Sequence, residues 1–271
     1  MSADIPAFLY GTAWKEADTQ SLVVLALEAG FTGIDTANQR KHYHEQGAAE
    51  GVAEFLRRTG RRRESLFLQS KFTHLGGQDH RLPYDPRAPV GTQVQQSFQS
   101  TLEHFATNYL DSLVLHGPSS STTLTDDDWE AWGAMEALAS AGTVKHLGVS
   151  NVNARQLEQL LASAQLRPRF VQNRCYARRG WDKEVRQICR AEGLLYQGFS
   201  LLTANPEVLE GEIVRRIAKR EHLSPAQVVF RFARAVGMIP LTGTRQAEHM
   251  RQDLASMEAH LSAAEVAELG G

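Results

Sequence analysis

Four residues able to carry proton chemistry lie at or just after the ends of short apolar runs. Asp35 ends FTGID and Tyr43 follows it, while Lys71 ends LFLQSK and His116 ends LVLH. A carboxylate, a phenol, an ammonium and an imidazole are groups that enzymes use as general acids and bases and as their electrostatic partners. Further polar residues end later apolar runs, namely Ser150 and Asn151, Gln172 and Asn173, and Ser200.

These runs alternate with segments of helical periodicity along the whole chain. The predicted strands lie at 8–10, 32–35, 66–71, 111–116, 145–150, 170–172, 194–200 and 238–241, and the predicted helices at 18–29, 47–59, 94–105, 129–140, 154–164, 183–191, 213–221, 225–235 and 247–257. Repeated strand–helix units over roughly 250 residues are typical of a closed (β/α)8 barrel, whose functional side chains lie at the carboxyl ends of the strands. We therefore expect an α/β fold in which residues 1–271 form a single TIM barrel domain.

An open, doubly wound sheet would give the same local alternation. Runs such as LFL at 66–68 and LVL at 113–115 fit any parallel sheet covered on both faces. The first predicted strand–helix turn, GTAW at 11–14, lacks the GxGxxG phosphate loop of dinucleotide-binding open sheets. The barrel is therefore the favoured architecture.

The composition excludes several classes of protein. There are 29 Lys and Arg against 31 Asp and Glu, which is not the basic excess of a nucleic-acid binder. No apolar stretch reaches membrane-spanning length, and no cationic segment followed by a long apolar one marks a leader. Cys175 and Cys189 belong to no metal-binding spacing and are expected to be buried free thiols. These features predict a cytoplasmic protein.

The polar set and its flanking phrases resemble the aldo-keto reductases over nearly the whole chain. The matching phrases are GTAWK at 11–15, GFTGIDTA at 30–37, YHE at 43–45, LQSK at 68–71, LDSLVLHGP at 110–118, GTVKHLGVSN at 142–151, FVQN at 170–173 and IPLTGT at 239–244. The resemblance implies reduction of a small-molecule carbonyl by a nicotinamide cofactor. Hydride delivery leaves negative charge on the carbonyl oxygen, so a proton donor is needed.

The resemblance assigns a role to each of the four residues. Tyr43 would be the general acid and Lys71 the neighbouring cation that lowers the pKa of its phenol. Asp35 would hold Lys71 charged and oriented. His116 would donate a hydrogen bond to the substrate oxygen, where charge develops.

Cofactor positions follow from the same resemblance. Ser150, Asn151 and Gln172 match residues that hold the nicotinamide carboxamide, and Phe199 replaces a stacking tyrosine. Leu241 to Arg245 stands where the family has the lysine–serine pair and the arginine that grip the 2′-phosphate of NADP. Thr244, Arg245 and the next helix N-terminus would then bind that phosphate, so NADPH is favoured and NADH is the alternative. The remaining cofactor candidates are Gly11, Thr12, Ser200, Leu202, Thr242, Gly243 and His249.

Three departures from the family pattern bear on the substrate pocket. NQRKH at 38–42 lengthens the spacing from Asp35 to Tyr43, and we expect it to bulge outward and leave the phenol in place. The N-terminal hairpin and the C-terminal loop are expected to be short or absent, which would open the pocket. The long segment 72–93 would compensate, with Phe72 and Tyr84 joining Trp14 in the pocket.

Two functions other than carbonyl reduction are alternatives for a barrel of this sequence. A cofactor-binding sensor or accessory subunit could keep the barrel with little turnover. A metal-dependent barrel hydrolase is disfavoured because the ten histidines do not have metal-ligand spacing, so no metal is expected. No heptad pattern or exposed apolar helix indicates an oligomeric state.

Overall fold

The computed structural model describes residues 5–256 and 261–270, and within them eight parallel strands close into a barrel. Each strand pairs with the next in sequence, and the last pairs with the first. This confirms the predicted (β/α)8 barrel. The strands are β1 (Leu9–Gly11), β2 (Gly33–Asp35), β3 (Phe67–Phe72), β4 (Leu110–Leu115), β5 (Val144–Ser150), β6 (Phe170–Arg174), β7 (Leu195–Phe199) and β8 (Met238–Thr242).

The helices surround the barrel and agree with the predicted ones to within a few residues. They are α1 (Thr19–Ala29), α2 (Glu45–Thr59), α3 (Val90–Phe105), α4 (Asp126–Ser140), α5 (Ala154–Ser163), α6 (Lys183–Ala191), α7 (Pro206–Leu209), α8 (Glu212–Glu221), α9 (Pro225–Ala235), α10 (Ala247–Ala255) and α11 (Ala263–Gly270). The short α7 and the terminal α11 were not predicted. Met257, the predicted last residue of α10, lies outside the described residues.

Capping residues fix where several helices begin. Thr125 and Asp128 form a capping box at α4, and Ser224 and Gln227 form another at α9. Each box satisfies backbone N–H groups that have no partner inside the helix, which stabilises it by about 1 kcal/mol. The Thr125 box starts α4 before Trp129, the residue at which apolar periodicity alone placed the start.

Alternation along the strands divides the barrel interior into layers. Leu9, Phe67, Phe170, Ile239 and Leu241 form a buried apolar cluster. Two residues further along β2, β3, β6 and β7, the inward positions are polar, because side chains two apart on a strand face the same way. They are Asp35, Gln69, Gln172 and Gln197, and all are buried. The interior therefore becomes more polar toward the carboxyl ends of these strands.

A larger apolar core fills the space between strands and helices. Both cysteines, Cys175 and Cys189, are free and buried, as predicted. Among residues 5–256 and 261–270, no helix combines the length and the apolar character needed to cross a bilayer.

The contact between α1 and α2 gives a prediction about packing. A Cβ at Gly51 of α2 would lie 2.7 Å from the backbone oxygen of Gln20 and 2.8 Å from Cβ of Val23. Gly51→Ala should therefore force the helices apart and destabilise the protein by about 1–3 kcal/mol, despite the better helix propensity of alanine. Thermal melting followed by circular dichroism measures the effect.

Gly133 on α4 is the matched control, because a Cβ there meets nothing within 4 Å. Gly133→Ala should leave the melting temperature unchanged or raise it slightly. Equal melting temperatures for the two variants would contradict close packing at Gly51.

Candidate active site

A cavity of about 990 Å³ lies at the carboxyl end of the barrel strands. It brings together most of the residues that the sequence singled out. Asp35, Tyr43 and His116 line it, and Trp14 lies at its edge. The cofactor candidates on its wall are Gly11, Ser150, Asn151, Gln172, Phe199, Ser200, Leu202, Thr242, Gly243, Thr244, Arg245 and His249.

Beneath the cavity lies a buried ion pair between Asp35 and Lys71. Nζ of Lys71 donates to both carboxylate oxygens at 2.7 Å and to the backbone oxygen of Thr36 at 2.8 Å. Lys71 is 1% exposed and Asp35 3%. Burial lowers the pKa of Lys71, and the charge and hydrogen bonds of Asp35 oppose that shift. Lys71 thus reaches the site from below rather than lining the cavity.

Three buried glutamines complete the surroundings of Asp35. Gln69 and Gln172 donate to its Oδ1 at 2.7 and 3.0 Å, and both also donate to Oε1 of Gln197. Gln197 returns a bond to Oε1 of Gln69 at 3.1 Å. The carboxylate therefore accepts from two amides as well as from the ammonium of Lys71. The sequence analysis missed Gln69 and Gln197, although each lies two residues before a predicted site residue on the same strand.

The phenol of Tyr43 remains on the cavity despite the lengthened loop before it. A backbone bond from Tyr43 to Gln39, at 3.0 Å, closes a turn that takes up the extra residues. The ring lies 5.3 Å from Nζ of Lys71 and meets the ring of His116 edge-on at 5.7 Å.

The acidity of Tyr43 differs from the expectation. Burial and then the charge of Asp35 raise the pKa of its phenol well above 10, while Arg174 opposes them. Lys71 was expected to lower that pKa, and its ammonium is paired with both carboxylate oxygens of Asp35. The phenol therefore stays protonated at neutral pH in this structure.

His116 is a neutral imidazole in this environment. Burial, the charge of Lys71 and then His42 lower its pKa to about 3. Its Nδ1 lies 2.7 Å from Oγ1 of Thr73, and its backbone oxygen accepts a bond from Asn151 at 2.7 Å. A neutral ring can still donate one hydrogen bond into the cavity, which suits an oxygen that becomes negative.

The residues around β5 to β7 fit a flat primary amide such as nicotinamide. Both amide hydrogens of Gln172 are engaged by Asp35 and Gln197, and no donor among the described residues reaches its Oε1. That oxygen is free to accept from a carboxamide NH2. Asn151 has φ of 56°, a left-handed conformation that asparagine tolerates well, and it donates to Oγ of Ser150 at 3.1 Å. Phe199 adds an aromatic face to the wall.

The β8 end of the cavity carries cations that the sequence analysis only partly found. Arg245 forms an ion pair with Asp18 and also donates to the backbone oxygen of Trp14 at 3.4 Å. Lys15, which was missed, donates to the backbone oxygen of Gly243. Burial and then the charge of Arg245 lower the pKa of Lys15 to about 8. Two cations thus join the β1 and β8 loops across the cavity mouth.

Trp14 and Arg174 also line the cavity. Trp14 is 63% exposed and packs on the ring of His42 at a centroid distance of 4.1 Å. Arg174, another residue that the sequence analysis missed, lines the cavity with its guanidinium 5.4 Å from the ring centre of Phe199.

Three predicted site residues lie away from the cavity. Thr12 is fully buried and donates to the backbone oxygen of Asp35 at 3.1 Å, so its hydroxyl is already used. Phe72 and Tyr84 pack on each other in the outer core at 5.8 Å. Phe72 is the last residue of β3, and alternation from the inward Lys71 turns it toward the helices. The expectation that Phe72 and Tyr84 shape the pocket is therefore corrected.

Comparisons with known proteins by family model, sequence and structure all point to reductases of one family. Residues 8–270 match the model of the aldo/keto reductase family. The chain is 27% identical to an NAD/NADP-dependent indole-3-acetaldehyde reductase of Schizosaccharomyces pombe, over 98% of this chain and 90% of that protein. It is 29% identical to a glyoxal reductase of Bacillus subtilis, over 81% and 70%. A Bombyx mori aldo-keto reductase solved in complex with NADP superposes with a TM-score of 0.80 at 22% identity, over 100% and 92%.

Asp253 on the cavity wall gives a prediction about pH. Burial raises the pKa of this carboxyl to about 7, while a hydrogen bond from Thr242 at 2.8 Å opposes the shift. The stability that its protonation contributes is complete below the ordinary value of 3.8 and is lost as the pH rises through about 7. Asp253→Asn keeps an acceptor for Thr242 but cannot ionise. It should match the wild type at pH 4 and exceed its stability by about 1–3 kcal/mol at pH 8.

Urea unfolding of the cofactor-free protein between pH 4 and pH 8 measures this difference. Glu158→Gln on α5, an exposed change away from the cavity, is the control and should track the wild type at every pH. A constant difference between Asp253→Asn and wild type across the range would show that Asp253 does not titrate as described.

Proposed function

Because the chain belongs to the aldo/keto reductase family, it is an NAD(P)H-dependent carbonyl reductase, and we propose that Tyr43 is its proton donor. The observation that carries this proposal is the meeting of three groups at one cavity. The phenol of Tyr43 and the imidazole of His116 line the cavity wall, and the ammonium of Lys71 lies 5.3 Å below the phenol ring. The substrates are aldehydes or ketones of small molecules.

The protein's task is to bind the carbonyl compound and stabilise the oxygen. When bound, the reduced nicotinamide supplies the hydride for the carbonyl carbon. Tyr43 supplies the proton for the oxygen, so that one hydride and one proton turn the carbonyl into an alcohol. His116 donates a hydrogen bond to the same oxygen while negative charge develops on it.

Lys71 acts after the proton leaves Tyr43. A phenolate in a buried site is costly unless a cation is near, and Lys71 is the buried cation next to it. Asp35 holds that cation in place with two hydrogen bonds of 2.7 Å.

For the cofactor, the residues on the wall support NADPH over NADH. Arg245 and Lys15 lie at the β8 end, and α10 begins at Ala247 just beyond Thr244. A helix N-terminus with adjacent cations is suited to a phosphate group. We infer that the 2′-phosphate replaces Asp18 as the partner of Arg245.

Tyr43→Phe tests the proton donor. Reduction of 4-nitrobenzaldehyde with NADPH, followed as loss of absorbance at 340 nm, should fall by roughly a thousandfold because phenylalanine has no proton to give. Cofactor affinity, measured by quenching of tryptophan fluorescence, should change by less than about threefold. Full turnover in the variant would overturn the assignment of Tyr43. Tight cofactor binding by the wild type without turnover of any carbonyl would instead favour a cofactor-binding sensor.

Arg245→Gln tests the cofactor preference. The wild type should show a kcat/KM at least about tenfold higher with NADPH than with NADH. The variant should lose about tenfold with NADPH, the worth of one charged hydrogen bond, and less than about twofold with NADH. Arg87→Gln is the control, since the side chain of Arg87 is 90% exposed and lies outside the cavity. Equal losses with both cofactors, or a wild type that prefers NADH, would contradict the proposal.

A further inference from the structure

We propose that Thr73 is a positioning residue that fixes the tautomer of His116 so that the ring points an N–H group at the substrate oxygen. The proposal rests on the proposed function, since it concerns how His116 serves carbonyl reduction. Thr73 follows the last residue of β3 and begins the long loop that was expected to shape the pocket. Through Thr73, this loop would act on the substrate oxygen by way of His116.

The contact between the two side chains is short and buried. Oγ1 of Thr73 lies 2.7 Å from Nδ1 of His116, and Thr73 is 6% exposed. The other ring nitrogen, Nε2, has no protein partner among residues 5–256 and 261–270, and the ring lines the cavity. One nitrogen is thus fixed by the protein and the other is left for a ligand.

Two arrangements of protons fit this distance. In one, the hydroxyl of Thr73 donates to Nδ1, and Nε2 carries the proton. In the other, Nδ1 donates to Oγ1, and Nε2 presents only a lone pair to the cavity. Only in the first arrangement can Nε2 donate a hydrogen bond to a negatively charged oxygen in the cavity.

The hydrogen-bond partners available to Thr73 favour the first arrangement, in which its hydroxyl donates to Nδ1 of His116. Within the described part of the chain, Oγ1 of Thr73 has no second hydrogen-bond partner. In the second arrangement the buried hydroxyl hydrogen would therefore have no acceptor, which costs about 1–3 kcal/mol. In the first, the hydroxyl and Nδ1 satisfy each other. Because burial and Lys71 keep the ring neutral, only one of its nitrogens carries a proton.

The surrounding loop holds the hydroxyl in this position. Oη of Tyr84 donates to the backbone oxygen of Thr73 at 2.8 Å. On the other side, the methyl of Thr73 packs so closely on Gly77 that a Cβ there would lie 2.7 Å from it. Gln39 in turn donates to the backbone oxygen of Gly77 at 2.7 Å. Backbone and methyl are therefore both constrained, and the hydroxyl is left facing His116.

The backbone of His116 is fixed independently of Thr73. Its N–H donates to the backbone oxygen of Phe72 at 2.8 Å, and its carbonyl accepts from the side chain of Asn151. Removing the hydroxyl should thus leave the ring near its place while freeing its tautomer. Removing the hydroxyl of Thr73 therefore tests the position of the proton on His116 without moving the ring.

Thr73→Val removes the hydroxyl and keeps the shape of the side chain. We expect kcat for 4-nitrobenzaldehyde to fall by roughly 10- to 100-fold, part of the loss typical when an oxyanion donor is removed. The affinity for NADPH should change by less than about twofold. Thr73→Ser restores the hydroxyl and should recover kcat to within about threefold of the wild type.

Nitrogen-15 NMR of the histidine side chain reads the tautomer directly. In the wild type, His116 should show a protonated Nε2 and an unprotonated Nδ1, and Thr73→Val should shift it toward a mixture of the two forms. Thr143→Val is the matched control. The hydroxyl of Thr143 also makes a partly buried hydrogen bond, to the backbone oxygen of Leu138 at 2.9 Å, and Thr143 does not line the cavity. It should alter neither kcat nor the His116 spectrum.

Three results would overturn the proposal. They are a wild-type His116 protonated on Nδ1, unchanged kcat and spectrum in Thr73→Val, and equal loss of kcat in the Val and Ser variants. The first needs no variant, so the proposal can be tested even if Thr73→Val fails to fold. Absence of wild-type carbonyl reduction would count against the proposed function, whereas the NMR result concerns His116 alone.

Discussion

The buried ion pair between Asp35 and Lys71 is the interaction on which the rest of the site depends. Taking two charges out of water costs several kcal/mol for each, and the cost is offset only when geometry and further hydrogen bonds are good. Here Nζ of Lys71 meets both oxygens of Asp35 at 2.7 Å, and Gln69 and Gln172 add two amide donors. An unpaired partner would remain a buried charge without compensation. The ion pair is thus tolerated inside the barrel because the polar side chains of Gln69 and Gln172 surround the carboxylate of Asp35.

The same pair sets the protonation of the groups above it. The charge of Asp35 adds to burial in raising the pKa of Tyr43, and the charge of Lys71 adds to burial in lowering the pKa of His116. Both effects favour the neutral form. A neutral phenol and a neutral imidazole each keep a proton that can be shared with an oxygen, which is the state that reduction of a carbonyl requires at its start. One ion pair therefore helps to keep two different side chains, Tyr43 and His116, in their neutral forms.

The fold could be predicted from the sequence because short apolar runs and helical spacings report burial directly. The same regularity placed Asp35, Lys71 and His116 at strand ends. Gln69 and Gln197 escaped because a glutamine inside an apolar run carries no pattern of its own, and its partners lie on other strands. Phe72 was misplaced because alternation along β3 turns it away from the side of the inward Lys71. Tyr84 was misplaced because the path of a long loop depends on tertiary contacts, such as its bond to the backbone of Thr73.

The two irregular loops illustrate how a barrel tolerates insertions next to its chemistry. The extra residues before Tyr43 are closed off by a turn from Gln39, so the phenol returns to the cavity. Gln39 also bonds to Gly77, which packs on Thr73, and Thr73 meets His116. The insertion after β2 and the long loop after β3 are therefore joined, and each supports one of two side chains, Tyr43 and His116, that line the cavity.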